Sequence, residues 1–455
     1  KIDFGECFST QLTTASFARR TMSLFKKASP SSWAPLEDTI AEVLALHPTV
    51  PGVSVTLLNR RNHPSVSTIC AGWAVKDAAK MTPDCWVQLA SLSKTVGSAF
   101  ALETFAQRGI DPSESCNATL RKLGSTWALK GVNKLYNTAA EEVTLAQLMN
   151  HTSLGMHYVP GIDKAAVPTL DLLSGKAVED GYQELFVERE PGTRFKYSGG
   201  GFIVLQHLME LIYAGKTLQE AMQPFLDDCN CEMMMSFSYD AFQDQVPEYA
   251  EGYYDDGTIV KGKGGLTFPA FAAGGRGTTR ALGNFLLTLC KAYHGDQPGV
   301  SQKVARQMLG EASWVDLGAF DFMLAAVGMG VFVAQAGPNK IMLHQAANDG
   351  FRGIYVICFD GPDAADGPVG FVAVANGDNA AMFLNCDLAV EILRTMQLRG
   401  VDLDTRAKFK SRDDLLKMPQ EQIVNLGDLF GDQESFKCCL GGRESARRVR
   451  HHARR

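Results

Sequence analysis

Residues 86–102 read WVQLASLSKTVGSAFAL, and Ser91-Leu92-Ser93-Lys94 within them has the form S-x-x-K. The residues before Ser91 read as a connection and those after it as an apolar helix, so we predict a helix that begins near Ser91. A spacing of three places Ser91 and Lys94 on one face of that helix, one turn apart. The stretch therefore predicts a hydroxyl and an amine side by side at a helix N-terminus.

This position gives the hydroxyl of Ser91 a chemical use. A helix N-terminus offers unpaired N–H groups and positive potential to a developing oxyanion. Burial and that same potential disfavour a charged amine, so a neutral Lys94 can accept the proton of Ser91. The alternative interpretation is that Ser91 only caps the helix and that Lys94 lies on the surface.

The S-x-x-K pattern also occurs at Ser23-Leu24-Phe25-Lys26. In a chain of this length roughly two such matches are expected by chance from average Ser and Lys usage. Ser23 lies in a segment without acidic residues and without a recognisable element to hold it. The context therefore favours Ser91 over Ser23 as the functional serine.

Two later segments add candidate side chains. Residues 191–199 read PGTRFKYSG and precede a helix-like run, which places Tyr197 on a tight glycine-rich loop near a nucleophile. Residues 343–353 read LHQAANDGFRG and lead into a strand, which places His344 at a strand edge as a proton or charge partner. The alternatives are a packed loop aromatic and a core histidine.

The order of the predicted elements indicates an α+β protein. Helical patterns open and close the chain, over 36–47 and 380–398, and the long middle is mostly helical. Strand-like runs occupy 53–58, 65–73, 323–333, 353–359 and 370–375, with a hairpin loop over 361–367. Strands early and late in the chain, with helices between them, predict an α+β sheet whose helical domain, over about residues 100–320, is an insertion.

Composition limits the functional classes. The chain has 455 residues, 45% hydrophobic and 21% charged, with a net charge of −6. These values fit a large globular core and exclude a nucleic-acid-binding charge pattern for the chain as a whole. The longest apolar stretch, 322–334, is too short to span a bilayer and is predicted as a buried strand. The 11 cysteines show no zinc-ligand spacing, so we predict mostly reduced, buried thiols and no structural zinc.

The two ends of the chain differ from its middle. We treat residues 1–35 as a leader-like extension, 36–398 as the main domain and 399–455 as a C-terminal extension. Residues 8–35 contain no acid and several Arg and Lys, which suits either an organellar transit segment or a disordered leader. Residues 443–455 form a basic tail. The sequence thus predicts a soluble protein, mitochondrial if the leader is a transit segment.

Taken in order, these segments resemble the serine β-lactamase and penicillin-binding-protein superfamily. The resemblance is greater to its class C-like branch of esterases, D-amino peptidases and mitochondrial β-lactamase-like proteins. It extends over about residues 36–398 and implies an α+β fold with an antiparallel sheet flanked by the terminal helices and a helical domain inserted. The supporting segments, besides S-x-x-K, are 51–55, 148–153, 191–198, 273–280, 344–352 and 374–379.

The resemblance implies a role for each candidate residue. Ser91 would be the acylated nucleophile and Lys94 its base partner. Tyr197 would exchange protons with Ser91 and the leaving group, and His344 would tune Tyr197 electrostatically. The oxyanion hole would consist of the backbone N–H groups of Ser91 and Ala347. No metal or cofactor takes part.

Three departures from the family pattern concern the substrate. The usual Tyr-x-Asn reads Tyr197-Ser198-Gly199, a methyl group at Ala346 replaces a glycine, and Leu154-Gly155 reverses the usual order. These departures argue against β-lactam turnover. The sequence therefore predicts a serine hydrolase acting through an acyl-enzyme on a small ester, amide or peptide. A catalytically weak scaffold or assembly protein, an acyltransferase, and an oligomeric state all remain open.

Overall fold

The computed structural model describes residues 35–59, 66–155, 159–164, 167–238, 248–262, 265–316 and 325–401. The predicted leader, the second S-x-x-K match at Ser23 and the basic tail 443–455 lie outside these ranges. Among the residues described, no helix is both long and apolar enough to cross a membrane.

The strands and helices follow the predicted α+β order. The strands are β1 Gly52–Leu58, β2 Val66–Val75, β3 Ala79–Lys80, β4 Val87–Gln88, β5 Lys130–Gly131, β6 Phe186–Val187, β7 Met235–Ser236, β8 Arg276–Gly277, β9 Val315–Asp316, β10 Ala325–Val327, β11 Phe332–Ala336, β12 Asn339–Asn348, β13 Phe351–Asp360 and β14 Val369–Ala375. The helices are α1 Pro35–Ala45, α2 Ser93–Arg108, α3 Cys116–Lys122, α4 Asn137–Glu142, α5 Leu145–Met149, α6 Thr169–Leu173, α7 Gly199–Ile212, α8 Leu218–Asp228, α9 Thr279–Ala292, α10 Gln302–Leu309, α11 Ala380–Met382 and α12 Ala389–Met396.

A nine-stranded antiparallel sheet organises the molecule, in the order β3-β2-β1-β14-β13-β12-β11-β10-β9. The first long strand pairs with the last, in a register that places Val53 opposite Ala375. This pairing explains why strand patterns occur at both ends of the sequence. The predicted α+β fold with an antiparallel sheet is confirmed.

The two faces of the sheet are covered by different parts of the chain. Helices α1 and α12 pack on one face, where Ile40 and Ile392 share a core with Val356. Helices α2, α7 and α9 belong to the core on the other face, together with Met342 and Ala346 of β12. Since side chains alternate along a strand, His344 points to this second face. The face of β12 that carries His344 is therefore turned toward helices α2, α7 and α9.

The prediction of one continuous strand over 323–333 is wrong. The structure has two strands there, β10 and β11, paired as a hairpin with Val327 opposite Phe332. The turn between them contains Gly330 at φ +74°, a left-handed conformation that suits glycine. An apolar run read without this turn is indistinguishable from one long buried strand. Residues 322–324 lie outside the described ranges.

The structure refines two predicted placements. His344, expected at a strand edge, lies in β12 one residue beyond the end of its pairing with β11, and it pairs with Tyr355 of β13 on the other side. Tyr197 lies in the loop before α7, and that helix begins at Gly199 rather than at the predicted Phe202. Ser198 caps that helix, and its Oγ accepts a hydrogen bond from the Gly201 N–H at 3.3 Å. A serine N-cap outweighs the poor helix propensity of three glycines.

Candidate active site

Ser91 lies in a single 3-10 turn, Ala90–Leu92, that continues directly into α2. Ala90 has φ +48°, a left-handed conformation that costs a non-glycine residue about 1–3 kcal/mol. The turn is held by the Ser93 hydroxyl, which bonds to the Ala90 carbonyl at 2.5 Å and accepts from the Gly275 N–H at 2.9 Å. The Ser91 hydroxyl is thus fixed just before a sixteen-residue helix, where the helix dipole favours negative charge.

Lys94 lies beside Ser91 in the first turn of α2. Its Nζ donates to Ser91 Oγ at 3.2 Å and to the Ala272 carbonyl at 2.5 Å, and the side chain is 1% exposed. Ala272 belongs to a π-helical turn, Ala270–Gly274, that packs tightly on α2. A Cβ at Gly97 of that helix would lie only 2.7 Å from the Phe271 ring. The alternative of a surface lysine is therefore excluded.

Tyr197 completes the cluster from the other side. Lys94 Nζ is 4.8 Å from the centroid of the Tyr197 ring, and Tyr197 is buried. The hydroxyl of Ser91, the amine of Lys94 and the aromatic ring of Tyr197 are thus gathered in one place. Ser91 itself is only 5% exposed, so the cluster is nearly enclosed.

His344 approaches this cluster from β12. Its ring centroid is 6.2 Å from that of Tyr197 and 5.1 Å from that of Phe332. Its Nδ1 is 2.5 Å from the Gln345 carbonyl, which can only accept, so Nδ1 carries the proton and Nε2 the lone pair. Burial and the nearby Lys94 charge lower the pKa of His344 to about 3. Any influence of His344 on Tyr197 is therefore exerted by a neutral ring.

The lowered pKa of His344 predicts an acid sensitivity of folding. The unfolded chain binds a proton at this residue as the pH falls below about 6.5, whereas the folded chain does so only near pH 3. Stability is therefore present above pH 6.5 and declines toward pH 3, by up to about 1.4 kcal/mol per pH unit for this one group. In the variant His344→Phe, the free energy of unfolding measured with urea is expected to change less between pH 6.5 and 4 than it does in wild type. A matched change at His294, whose side chain is half exposed, should leave that slope as it is.

The predicted oxyanion residue Ala347 lies on the part of β12 that extends past β11. Strand β11 pairs with β12 only from Asn339 to Leu343. The following residues of β12 pack near the Ala90–Leu92 turn. Gly353, opposite Ala346 in β13, allows Leu92 of that turn to pack closely: a Cβ on Gly353 would lie 3.1 Å from Leu92 and 3.5 Å, an ordinary contact, from Ala346 Cβ.

His151 is a site residue that sequence reasoning did not single out. Its ring stacks on Tyr197 at 4.4 Å between centroids, with 25° between the planes. Its Nδ1 accepts from the Ser198 N–H at 3.0 Å, and its carbonyl accepts from the Lys196 N–H at 2.8 Å. The residue adopts φ +62°. Burial, followed by the charge of Lys94, holds the pKa of His151 well below its usual value. His151 therefore fixes the segment and the ring plane of Tyr197.

Two substitutions at His151 each remove a different contact that places Tyr197. In His151→Asn the Oδ1 atom can still accept from Ser198 and asparagine tolerates positive φ, but the stacked ring is lost. In His151→Phe the ring remains and the acceptor is lost. We expect both variants to lower kcat, by about tenfold, with little change in KM, because they alter the placement of Tyr197 rather than substrate contacts. Equal kcat in wild type and both variants would contradict this role.

A buried ion pair closes the β12–β13 turn next to the site. Arg352 Nη1 donates to Asp378 Oδ1 at 3.1 Å and to the carbonyls of Asn348 and Phe351 at 2.6 and 2.8 Å. The other end of the turn is held by the Gly350 N–H, which donates to the same Asp378 oxygen at 2.6 Å. The motif N-D-G-F-R at 348–352 therefore holds the end of β12 in place, because its arginine bonds to Asp378 and to carbonyls of the turn itself.

The described residues provide neither a candidate metal site nor a reactive thiol. Within the ranges given above, no group of three or more His, Cys, Asp or Glu side chains could hold a metal ion. Seven cysteines whose side chains the structure describes are free thiols, and six of them are buried. Burial raises the pKa of these thiols, for example that of Cys70 to about 11, which disfavours the reactive thiolate.

An S-x-x-K serine at a helix N-terminus, facing an antiparallel sheet with terminal helices behind it, is the arrangement found in the serine β-lactamase and penicillin-binding-protein superfamily. The family model described as beta-lactamase matches residues 38–391. The chain belongs to the beta-lactamase family. No curated protein matches the sequence significantly.

Several solved structures share this fold at low sequence identity. The D-amino acid amidase from Ochrobactrum anthropi SV3, complexed with L-phenylalanine amide, is 19% identical, with a TM-score of 0.57 over 80% of this chain and 100% of that chain. The octameric penicillin-binding protein homologue from Pyrococcus abyssi is 16% identical, with a TM-score of 0.57 over 80% and 77%. The beta-lactamase/D-alanine carboxypeptidase from Pseudomonas syringae is 17% identical, with a TM-score of 0.57 over 80% and 98%.

Proposed function

We propose that the protein is a serine hydrolase that forms an acyl-enzyme at Ser91. The observation that carries this proposal is the contact of 3.2 Å between Lys94 Nζ and Ser91 Oγ, with both side chains buried at the start of α2. A lysine that only stabilised the fold would not need to bond the Ser91 hydroxyl at the helix N-terminus. Membership of the beta-lactamase family supports the same reaction class.

The reaction follows from the order of the groups around Ser91. The Ser91 oxygen attacks the substrate carbonyl carbon while its proton passes to Lys94, and the carbonyl oxygen becomes an oxyanion facing the N–H groups of Ser91 and Ala347. When the intermediate collapses, the bond to the leaving group breaks, Tyr197 delivers a proton to that group, and the Tyr197 oxygen takes over the proton held by Lys94. Water then attacks the acyl carbon and gives a proton to Lys94; the bond to Ser91 Oγ breaks, the acid leaves, and that proton returns to the Ser91 oxygen.

We propose a small ester, amide or peptide as the substrate. Solved structures of the same fold are described as an amidase and a D-alanine carboxypeptidase, which supports an acyl-transfer substrate of this size. Gly199 supplies no side-chain amide beside Lys94, so we do not include β-lactams among the substrates. An acyltransferase differs only in the nucleophile that attacks the acyl-enzyme, and the experiment below separates the two.

The test is a hydrolysis screen of p-nitrophenyl esters and D- and L-aminoacyl anilides with wild type and Ser91→Ala. We expect release of nitrophenol or aniline by wild type alone, with the free acid as the second product. A product joined to an added alcohol or amine, at the expense of the acid, would identify an acyltransferase. Turnover by both proteins at equal rates would reject Ser91 as the nucleophile, and no turnover by either would reject the proposal in favour of a non-catalytic scaffold.

A further inference from the structure

A cavity of about 390 Å³ lies away from the active site, between the end of α8, one face of α9 and the loop that joins α9 to α10. Its volume falls within the range of small-molecule sites in proteins. Part of its surface, the apolar lining, consists of Val66 at the start of β2, Leu287 of α9 and Pro298 of the loop. The other lining residues are polar or charged, so the cavity suits a small ligand with both kinds of surface.

The loop that forms one wall of this cavity is held in place by contacts within the protein. Gly299 follows the lining residue Pro298 at φ +78°, and a Cβ there would lie only 2.6 Å from Cys229 Sγ at the end of α8. The Ser301 N–H and hydroxyl both donate to Glu103 Oε1 of α2, at 2.6 and 2.8 Å. The wall is therefore formed before any ligand binds, which lowers the entropic cost of binding.

Two amide side chains of the lining keep their oxygens available as acceptors. Asn284 Nδ2 donates to the Asn230 carbonyl at 2.8 Å. Gln297 Nε2 donates to the carbonyls of Gly295 and Asp296, at 3.1 and 2.9 Å. Because a carbonyl can only accept, the nitrogen of each amide must face these partners. Asn284 Oδ1 and Gln297 Oε1 are therefore left for a ligand that donates.

The lining also carries two opposite charges, Asp228 at the end of α8 and Lys291 in the last turn of α9. Among the residues that the structure describes, neither side chain forms an ion pair or a hydrogen bond. Thr288, one turn before Lys291, adds a hydroxyl group to the lining. Asp228, Asn284 Oδ1 and Gln297 Oε1 form an acceptor set that suits an ammonium group, whereas the amine and the hydroxyl suit a carboxylate.

We propose that this cavity binds a free α-amino acid with an apolar side chain. The ammonium group of the ligand donates to the acceptor set, and its carboxylate accepts from Lys291 Nζ and the Thr288 hydroxyl. The side chain of the ligand packs on the apolar lining. A compound that lacks either charge leaves one of these groups without its partner and binds more weakly. This site is separate from the Ser91 cluster and does not depend on the proposed hydrolase function.

The experiment is a calorimetric titration of the wild-type protein with leucine, in both enantiomers. N-acetyl-leucine lacks the ammonium group, leucine amide lacks the carboxylate, and glycine lacks the side chain. We expect at least one enantiomer of leucine to bind, and each of the three analogues to bind about fivefold more weakly or worse, as exposed charge pairs and a small apolar contact allow.

Two variants assign the binding to the cavity. Asp228→Asn and Lys291→Met are each expected to weaken the binding of leucine by about fivefold, and Asp228→Asn should leave the affinity for N-acetyl-leucine as it is. Asp227→Asn and Lys303→Met change the same residue types on α8 and α10 outside the lining, and should bind leucine as wild type does. Both cavity side chains are exposed, so the variants should keep the thermal midpoint of wild type.

Three results would overturn this inference. They are no heat of binding with leucine at millimolar concentration, equal affinity in wild type and both cavity variants, and analogues that bind as tightly as leucine. A titration after fluorophosphonate treatment separates the cavity from the active site. Binding that persists on the labelled protein supports the cavity, whereas binding that is lost with the label places leucine at Ser91 and overturns the inference. Absence of any label on Ser91 contradicts the proposed function alone, because the cavity variants test the inference without it.

Discussion

Ser91→Ala is expected to abolish hydrolysis and active-site labelling. Removal of the Oγ atom removes the group that would form the acyl bond, and Lys94 then has no proton to accept. Loss of a nucleophile that acts together with its base lowers kcat by about 10⁴-fold or more. A steady-state assay with the best ester of the screen and a fluorescent fluorophosphonate label measure the two losses independently. The Ala270–Gly274 turn still holds the Lys94 amine, so the variant should fold and melt as wild type does.

The chain provides a matched control for this experiment. Ser23→Ala alters the other S-x-x-K sequence, which occurs outside the described residues. We expect it to label and hydrolyse as wild type does. If Ser91→Ala were labelled as strongly as wild type while Ser23→Ala lost its label, the assignment of the nucleophile would be wrong.

Lys94→Met is expected to lower kcat by about 10²–10⁴-fold, the range typical of a lost general base. Methionine keeps most of the volume of the buried side chain and removes the nitrogen that contacts Ser91 Oγ and the Ala272 carbonyl. Labelling by fluorophosphonate should slow in the same proportion, because the hydroxyl loses its proton acceptor. The measurement is the second-order labelling rate, with the thermal midpoint recorded on the same sample.

Lys26→Met serves as the control for that substitution, since Lys26 ends the second S-x-x-K match. A Lys94→Met protein that folds and labels at the wild-type rate would contradict a base role. So would a loss of labelling that merely follows the fraction of unfolded protein.

The sequence predicted the part of the site that depends on local spacing. Ser91 and Lys94 are three residues apart at a helix start, so their contact follows from helix geometry alone. That the early and late strands share one sheet, with the helical part inserted between them, also followed from the order of the strand patterns; the pairing of β1 with β14 was found only in the structure.

The remaining parts of the site depend on contacts between distant segments. His151 reaches Tyr197 through a left-handed backbone, which apolar periodicity does not indicate. Strand β12 is buried on both faces, so the alternation that would mark it as one strand is absent. The orientation of the Asn348 amide depends on two contacts with distant segments. Its Nδ2 donates to the Ala273 carbonyl of the π-helical turn and to Gln88 Oε1, and Gln88 is itself held by the Leu266 carbonyl. A match to the family's H-T-S and N-x-G-F-R segments was the available signal for His151 and Asn348.

The most direct test is peptide mapping by mass spectrometry of the wild-type protein after treatment with a fluorophosphonate. The mechanism places one adduct per chain on the peptide that contains Ser91, at a rate that falls strongly in Lys94→Met. An adduct on any other serine, or an unmodified Ser91 peptide in a folded protein, would contradict it.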